Sequence, residues 1–181
     1  MAVYISILRG INVSGKKLIK MDALVHLFED LGYENVTTYV QSGNVVFSSS
    51  QTNLKKIESK IYDKINETFE FDVPNIVLTI DTLQQIIDEN PFLKDETKNT
   101  EFLYYTFLSS EPENTEMDQF EKLKGEDEEL YLTNRVVYLY CPNGYSKTKL
   151  TNNAIEKLLN VVTTTRNNNT TTALLKMATL K

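Results

Sequence analysis

The feature that most constrains the fold is an order of strand and helix patterns that occurs twice along the chain. Apolar and β-branched runs predict strands, whereas apolar residues at helical spacing predict amphipathic helices. These patterns alternate as βαββαβ over residues 3–80 and again over residues 102–165. The order is typical of ferredoxin-like units, in which an antiparallel sheet carries two helices on one face. We therefore predict an α+β protein with two tandem ferredoxin-like (βαββαβ) halves and an extra C-terminal helix.

The two halves are expected at residues 1–80 and 101–181, joined by a connector helix within residues 81–100. In the connector, Asp81 and Gln84 resemble a helix-capping pair, and Pro91 is expected to end the helix. The C-terminal helix is expected to start after the run of Asn and Thr at residues 167–172. The reason is that Asn and Thr are unfavourable inside a helix but favourable at its caps.

The net charge of −6 is unevenly distributed along the 181 residues. Residues 111–129 contain nine acidic residues and two lysines, so the remainder of the chain is nearly neutral. We interpret this acidic segment as solvated surface, and the overall charge therefore does not exclude a basic site elsewhere. The single cysteine, Cys141, excludes an intramolecular disulfide and is interpreted as a structural thiol. With no secretion signal and no apolar run of about 18 residues, the sequence predicts a cytoplasmic protein with no membrane partner.

A glycine-containing stretch with several cationic residues, residues 9–17, follows the first predicted strand. Gly10 and Gly15 indicate a main chain that turns tightly or closely approaches another group. The stretch fits the Gly-x-x-x-x-Gly-Lys part of a phosphate-binding loop. However, Lys17 replaces the Ser or Thr that would bind Mg²⁺, and an antiparallel sheet differs from the parallel sheet of those enzymes. The sequence therefore argues against a nucleotide hydrolase of that class.

Three further loops, residues 41–44, 143–152 and 163–167, carry polar or cationic side chains suited to an anionic ligand. The last two precede predicted helices, whose N-terminal amides attract phosphate or carboxylate groups. Two of the three arginines, Arg9 and Arg166, lie in these four stretches, and arginine suits bidentate binding of an oxyanion. We predict that the loops converge on a small phosphorylated or carboxylated ligand, for example a nucleotide. The predicted ligand-binding residues are Arg9, Gly10, Asn12, Lys16, Gln41, Ser42, Asn44, Lys149, Thr151, Asn152, Arg166 and Asn167.

Six groups of residues occur in a characteristic order over nearly the whole chain. They are Arg9-Gly10-Ile11-Asn12-Val13 with Gly15-Lys16, Gln41-Ser42-Gly43-Asn44-Val45, Asp72-Val73-Pro74, Asn90-Pro91-Phe92, Ser146-Lys147 to Leu150-Thr151-Asn152, and Thr164-Thr165-Arg166-Asn167. Together they resemble the bacterial family named domain of unknown function 1697. The resemblance implies two ferredoxin-like halves in a cytoplasmic protein, no established activity, and signature residues at all the predicted ligand-binding positions except Lys16. The chain departs from the family in having Asn168 where a Trp usually follows the Arg-Asn pair.

Two alternative functions are left open. Residues 3–8 are similar to the first-strand motif of RNA-recognition modules, which bind RNA or single-stranded nucleic acid on a sheet face. The third strand, however, offers Gly43 and Phe47 without the full basic and aromatic pattern. The second alternative is a structural or interaction protein whose loops bind no ligand. No catalytic residue, cofactor or metal site is predicted, because the only histidine, His26, lies off the apolar stripe of its helix and no nucleophile–base pair is visible.

Overall fold

A computed structural model gives the structure of residues 1–181. It contains two four-stranded antiparallel sheets and six α-helices, arranged in two similar halves. Residues 1–84 with 173–181 form one compact unit, and residues 85–172 form the second. The predicted α+β class with two tandem ferredoxin-like halves is confirmed. None of the helices combines the length and the apolar character needed to cross a membrane.

The first unit begins with six elements in the order that the sequence predicts. They are β1 (Ala2–Leu8), α1 (Met21–Asp30), β2 (Glu34–Tyr39), β3 (Asn44–Ser49), α2 (Leu54–Phe69) and β4 (Asn75–Thr79). The strands lie in the order β2-β3-β1-β4, and each is antiparallel to its neighbour. β1 is one of the two inner strands, and it ends at Leu8, immediately before the glycine-containing stretch.

An aromatic cluster forms part of the hydrophobic core of the first unit. Phe47 of β3 is fully buried, and its ring centroid lies 5.9 Å from that of Tyr4, 5.3 Å from that of Phe28 and 4.7 Å from that of Tyr33. Ile57 of α2 belongs to the same core. The apolar sides of α1 and α2 thus pack on the sheet face that carries Tyr4 and Phe47, which anchors the end of β1.

The hydroxyl of Tyr33 is buried in this cluster without a hydrogen-bond partner, and burial raises the pKa of Tyr33. Because an unpaired buried hydroxyl carries a desolvation cost, Tyr33→Phe is expected to raise the free energy of unfolding by about 1 kcal/mol. The matched variant is Tyr138→Phe, which loses a hydroxyl that donates to the Ile86 carbonyl at 2.6 Å and should be destabilised by a similar amount. Urea denaturation measures both changes. An equal loss of stability in the two variants would contradict the conclusion that the Tyr33 hydroxyl has no hydrogen-bond partner.

The second unit repeats the first. Its elements, with the two helices whose residues are divided between the units, are α3 (Ile80–Asp88), β5 (Leu103–Leu108), α4 (Met117–Leu123), β6 (Glu129–Leu132), β7 (Val136–Tyr140), α5 (Asn152–Leu159), β8 (Thr163–Asn167) and α6 (Asn168–Thr179). The strand order β6-β7-β5-β8 is again antiparallel throughout. Phe120, Val137, Leu139 and Ile155 are fully buried in one core cluster of this unit. The repeated topology therefore follows from a repeated apolar pattern.

The prediction that the last helix starts at Ala173 is wrong, because α6 begins at Asn168. Asn167 Oδ1 accepts a hydrogen bond from the Thr170 amide at 2.8 Å, which caps the helix start. The hydroxyls of Thr171 and Thr172 donate to the carbonyls of Asn167 and Asn168 at 2.8 and 2.9 Å. These threonines therefore bond within the first turns of the helix instead of interrupting it.

Candidate functional site

Residues 9–20 connect β1 to α1 and form a segment that we call the basic loop. The Arg9 amide donates to the Pro74 carbonyl at 2.8 Å, which fixes the start of the loop beside the residue preceding β4. The Asn12 amide donates to the Lys17 carbonyl at 3.1 Å, and the Lys16 amide donates to the Val13 carbonyl at 3.0 Å. The tip of the basic loop is therefore a small closed turn.

Five residues of the basic loop have left-handed backbone conformations. Gly10 and Gly15 have φ values of 73° and 71°, and Asn12, Ser14 and Lys17 have values between 47° and 54°. A Cβ atom added at Gly10 or Gly15 would meet no atom within 4 Å. These two glycines are therefore favoured by their backbone conformation rather than by a close neighbour.

Asn12 ties three segments of main chain together. Its amide group donates to the Ile19 carbonyl at 2.9 Å and to the Gln41 carbonyl at 2.8 Å, while its Oδ1 accepts from the Ile19 amide at 2.8 Å. Both amide protons of Asn12 are thus used by the main chain. Asn12 holds the returning end of the basic loop against the turn between β2 and β3.

The β2–β3 turn is itself held by the buried Asn44. The amide nitrogen of Asn44 donates to the Tyr39 carbonyl at 3.1 Å and to the Ser42 hydroxyl at 2.9 Å. The Leu8 amide donates to the Gly43 carbonyl at 2.8 Å. The structure therefore brings together the predicted residues of the basic loop and of the turn, with Gln41 exposed and Ser42 half-buried.

The basic loop carries a concentrated positive charge. Residues 9–20 include Arg9, Lys16, Lys17 and Lys20 and no acidic residue. Lys16 and Lys20 are exposed, whereas the Lys17 ammonium donates to the main-chain carbonyl of Asp72. The N-cap residue of α1 is Lys20, which provides no side-chain cap for the helix amides. The cationic side chains of the loop and the partial positive charge at the N-terminus of α1 therefore lie next to each other along the chain.

In the second unit, Thr151 and Asn152 stabilise α5 and its packing on β8. The Thr151 hydroxyl accepts from the Ala154 amide at 3.2 Å, which caps α5. Asn152 Oδ1 accepts from the hydroxyls of Thr163 and Thr165 at 3.0 and 2.8 Å. Lys149, two residues before the cap, is exposed.

Arg166 lies near the end of β8 and is half-buried. Its Nη1 donates to the Thr164 hydroxyl at 2.9 Å and to the Thr165 carbonyl at 2.8 Å. Asn167, next to it, caps α6. The second unit therefore has its own polar cluster at the start of α5 and the end of β8, and a common site for Arg9 and Arg166 stays a prediction.

The sequence profile of the family described as "Protein of unknown function (DUF1697)" matches residues 1–138. The chain belongs to this family. A solved structure, that of conserved bacterial protein SP0830 from Streptococcus pneumoniae, is 24% identical and has a TM-score of 0.71 over 98% of each chain. At this identity the similarity shows that the two proteins share a fold. No curated protein matches the sequence.

Glu128 of this DUF1697 protein has a structural role that the sequence alone does not indicate. It lies in the acidic segment, yet it is only 6% exposed. Its Oε2 accepts from the Gly125 amide and from the Thr148 hydroxyl, both at 3.0 Å. Glu128 therefore fastens the loop that carries Lys149, and nothing in its sequence surroundings distinguishes it from the exposed acidic residues near it.

The free thiol of Cys141 is also buried in the second unit. Burial, together with the negative charge of Glu128, raises the pKa of Cys141 to about 12. The thiol is therefore protonated near neutral pH and is a poor nucleophile. No three side chains among His, Cys, Asp and Glu are grouped so that they could hold a metal ion.

The aromatic residues that suggested nucleic-acid binding are not on an exposed surface. Tyr4 and Phe47, on paired positions of β1 and β3, are 3% and 0% exposed. Ile5 and Ile7, which alternate with Tyr4 along β1, are fully buried as well. Stacking on bases requires an accessible ring, and these rings instead form part of the aromatic core of the DUF1697 fold.

Proposed function

We propose that this protein binds a small phosphorylated or carboxylated ligand at the basic loop of its first unit. The observation that carries the proposal is the run of four cationic residues without an acidic one at positions 9–20, directly before the start of α1. We further propose that the protein acts in the cytoplasm, since its one cysteine is a free buried thiol, as is usual in reducing compartments.

The charge arrangement favours an anion over a cation. Lys16 and Lys20 are exposed at the loop, and the α1 amides that follow Lys20 have no side-chain cap. The partial positive charge of a helix N-terminus and nearby ammonium groups both lower the energy of a bound phosphate or carboxylate. Asp22 in the first turn of α1 opposes this effect in part. We therefore assign the main electrostatic contacts to Lys16, Lys20 and the guanidinium of Arg9.

The polar residues of the loop divide into two roles. Asn12 and Asn44 use their amide groups to hold main chain, so they position the loop and the adjoining turn. Arg9 follows the inner strand β1, and its amide donates to the Pro74 carbonyl. A guanidinium on a fixed backbone suits bidentate binding of an oxyanion.

Exposed apolar side chains adjoin the cationic ones. Val13 and Leu18 in the basic loop are 56% and 66% exposed, and Val40, next to Gln41, is 51% exposed. Accessible apolar side chains beside a polar site often mark a binding surface. The ligand is therefore expected to carry an apolar part, such as a nucleobase or a hydrocarbon chain, beside its anionic group.

Differential scanning fluorimetry with phosphate, pyrophosphate, AMP and citrate tests the proposal. An anion bound only by the native state, at about a hundredfold excess over its Kd, should raise the Tm by about 5–10 °C. Lys16→Gln and Arg9→Gln should each reduce this shift. Lys60→Gln removes the same charge from exposed α2 in the same unit and should leave it unchanged.

The proposal fails if none of the four anions raises the Tm of the unmodified protein. It also fails if Lys60→Gln reduces the shift as much as Lys16→Gln does, because the effect would then reflect net charge alone. In either case, the reading of the loops as purely structural elements becomes the better one. Arg166→Gln in the same series tests whether the second predicted arginine contributes to the same ligand.

A further inference from the structure

A cleft in the second unit lies outside all the loops that carry the predicted ligand-binding residues. Its volume is about 320 Å³, and its walls come from the end of α3 and from the turn between β6 and β7. Gln85 and Glu89 contribute one side, and Asn134 and Arg135 contribute the other. Tyr138 also lines the cleft, although its side chain is fully buried. This volume is at the lower end of the range of small-molecule sites.

Arg135 has a fixed backbone and an available side chain. Its amide donates to the Thr133 hydroxyl at 3.3 Å, and its carbonyl accepts from the Leu108 amide at 2.9 Å. The guanidinium, in contrast, is exposed and forms no ion pair. Arg166 donates to its own strand through Nη1, whereas Arg135 lines the cleft and is exposed.

Glu89 supplies the opposite charge in the same cleft. Its Oε1 accepts from the Gln85 side-chain amide at 2.8 Å, which orients the carboxylate. Its negative charge lies close enough to Tyr138 to add to the effect of burial, which raises the pKa of that phenol. The Tyr138 hydroxyl donates to the Ile86 carbonyl at 2.6 Å, which joins α3 to β7 at the cleft. Glu89 and Arg135 line one cleft without pairing with each other.

This charge pair selects a class of ligand. A simple anion is attracted by Arg135 but repelled by Glu89, and a simple cation meets the reverse situation. A zwitterion gains from both groups, since each of its charges can form a charge-assisted hydrogen bond. We propose that the cleft binds a small α-amino acid, with its carboxylate on Arg135 and its ammonium on Glu89.

A titration followed by ¹⁵N–¹H correlation spectra on the full chain tests the proposal with three matched probes. L-Norvaline carries both charges, pentanoate lacks the ammonium, and butylamine lacks the carboxylate. Norvaline is expected to cause saturable shifts of amides in residues 85–89 and 133–138. The affinity of each single-charge probe should be lower than that of norvaline by about tenfold or by a larger factor. Saturable shifts of similar size from all three probes would overturn the proposal, and so would the absence of any saturable shift with norvaline.

Substitutions of the two charged residues test the assignment, and a third substitution is the control. Arg135→Gln and Glu89→Gln should each weaken norvaline binding about tenfold, because each removes one charge-assisted hydrogen bond. Glu96→Gln removes an exposed carboxylate of the same unit that does not line the cleft and should leave the affinity unchanged. Equal effects of Glu96→Gln and Glu89→Gln would overturn the assignment. This site is independent of the basic loop, so Lys16→Gln should not alter norvaline binding.

Discussion

Gly43→Ala is expected to lower the free energy of unfolding by about 2–5 kcal/mol, because it combines backbone strain with a clash. Gly43 has a φ of 81°, in the left-handed region that disfavours residues with a Cβ. A Cβ atom there would lie 2.7 Å from Leu8 Cβ and 2.9 Å from Ile11 Cδ1. Leu8 Cβ cannot move without moving β1, whose last amide also donates to the Gly43 carbonyl. The substitution should therefore disturb the strand end that carries Arg9.

Gly32→Ala is the matched control for this prediction. Gly32 has nearly the same φ, 82°, but a Cβ atom there meets nothing within 4 Å. Gly32→Ala should therefore lower the free energy of unfolding through backbone strain alone, by about 1–2 kcal/mol. Urea denaturation of both variants measures the difference, which isolates the clash. If the two variants lose equal stability, the close packing of the β2–β3 turn on β1 adds nothing to the effect of Gly43→Ala, contrary to the expectation.

The overall fold could be predicted from the sequence because the apolar periodicity is strong and occurs twice. The strands and helices of the first unit fall where the apolar runs lie, and the turn at Gly43 falls between two β-branched runs. The start of α6 could not be predicted, because intrinsic propensity treats Asn and Thr as poor helix residues. Their side chains instead cap the helix and bond to its first carbonyls, which depends on the local geometry and not on residue type alone.

The candidate sites were harder to predict, since a sequence shows residue types but not their partners. Asn12 and Asn44 have the chemistry of ligand-binding residues, yet their amides bond to main chain or to Ser42. Arg135 looks like a turn residue, yet it lines a cleft with Glu89, which is 46 positions away in the sequence. Such long-range neighbours arise from the pairing of strands and the packing of helices, and no local pattern records them.

Asn12→Ala is expected to destabilise the first unit by about 2–4 kcal/mol, because it removes three hydrogen bonds worth about 1 kcal/mol each and places Ala at a positive φ. The three bonds join Asn12 to Ile19 and to Gln41, with lengths of 2.8 to 2.9 Å. Without them, the returning end of the basic loop is no longer fastened to the β2–β3 turn. Hydrogen exchange of the Ile19 amide, which now donates to Asn12 Oδ1, should become faster than in the unmodified protein.

Asn12→Gly separates the two causes of this loss. Glycine tolerates the φ of 54° at this position. Asn12→Gly therefore removes the three hydrogen bonds without adding the backbone strain that a Cβ atom causes. It should be about 1 kcal/mol more stable than Asn12→Ala while showing the same rapid exchange at Ile19. Equal stability of Asn12→Gly and the unmodified protein would show that the three bonds do not hold the loop.

The same variants distinguish a positioning role from direct ligand contact. If Asn12 positions the basic loop, Asn12→Gly lowers stability without ligand and also weakens anion binding, because the ligand must then order the loop at an entropic cost. If Asn12 contacts the ligand, as the sequence alone suggests, binding weakens while stability without ligand and exchange at Ile19 stay unchanged. The use of both amide protons by the Ile19 and Gln41 carbonyls favours the first outcome. A Tm series with phosphate on Asn12→Gly, read beside its urea denaturation, decides between the two.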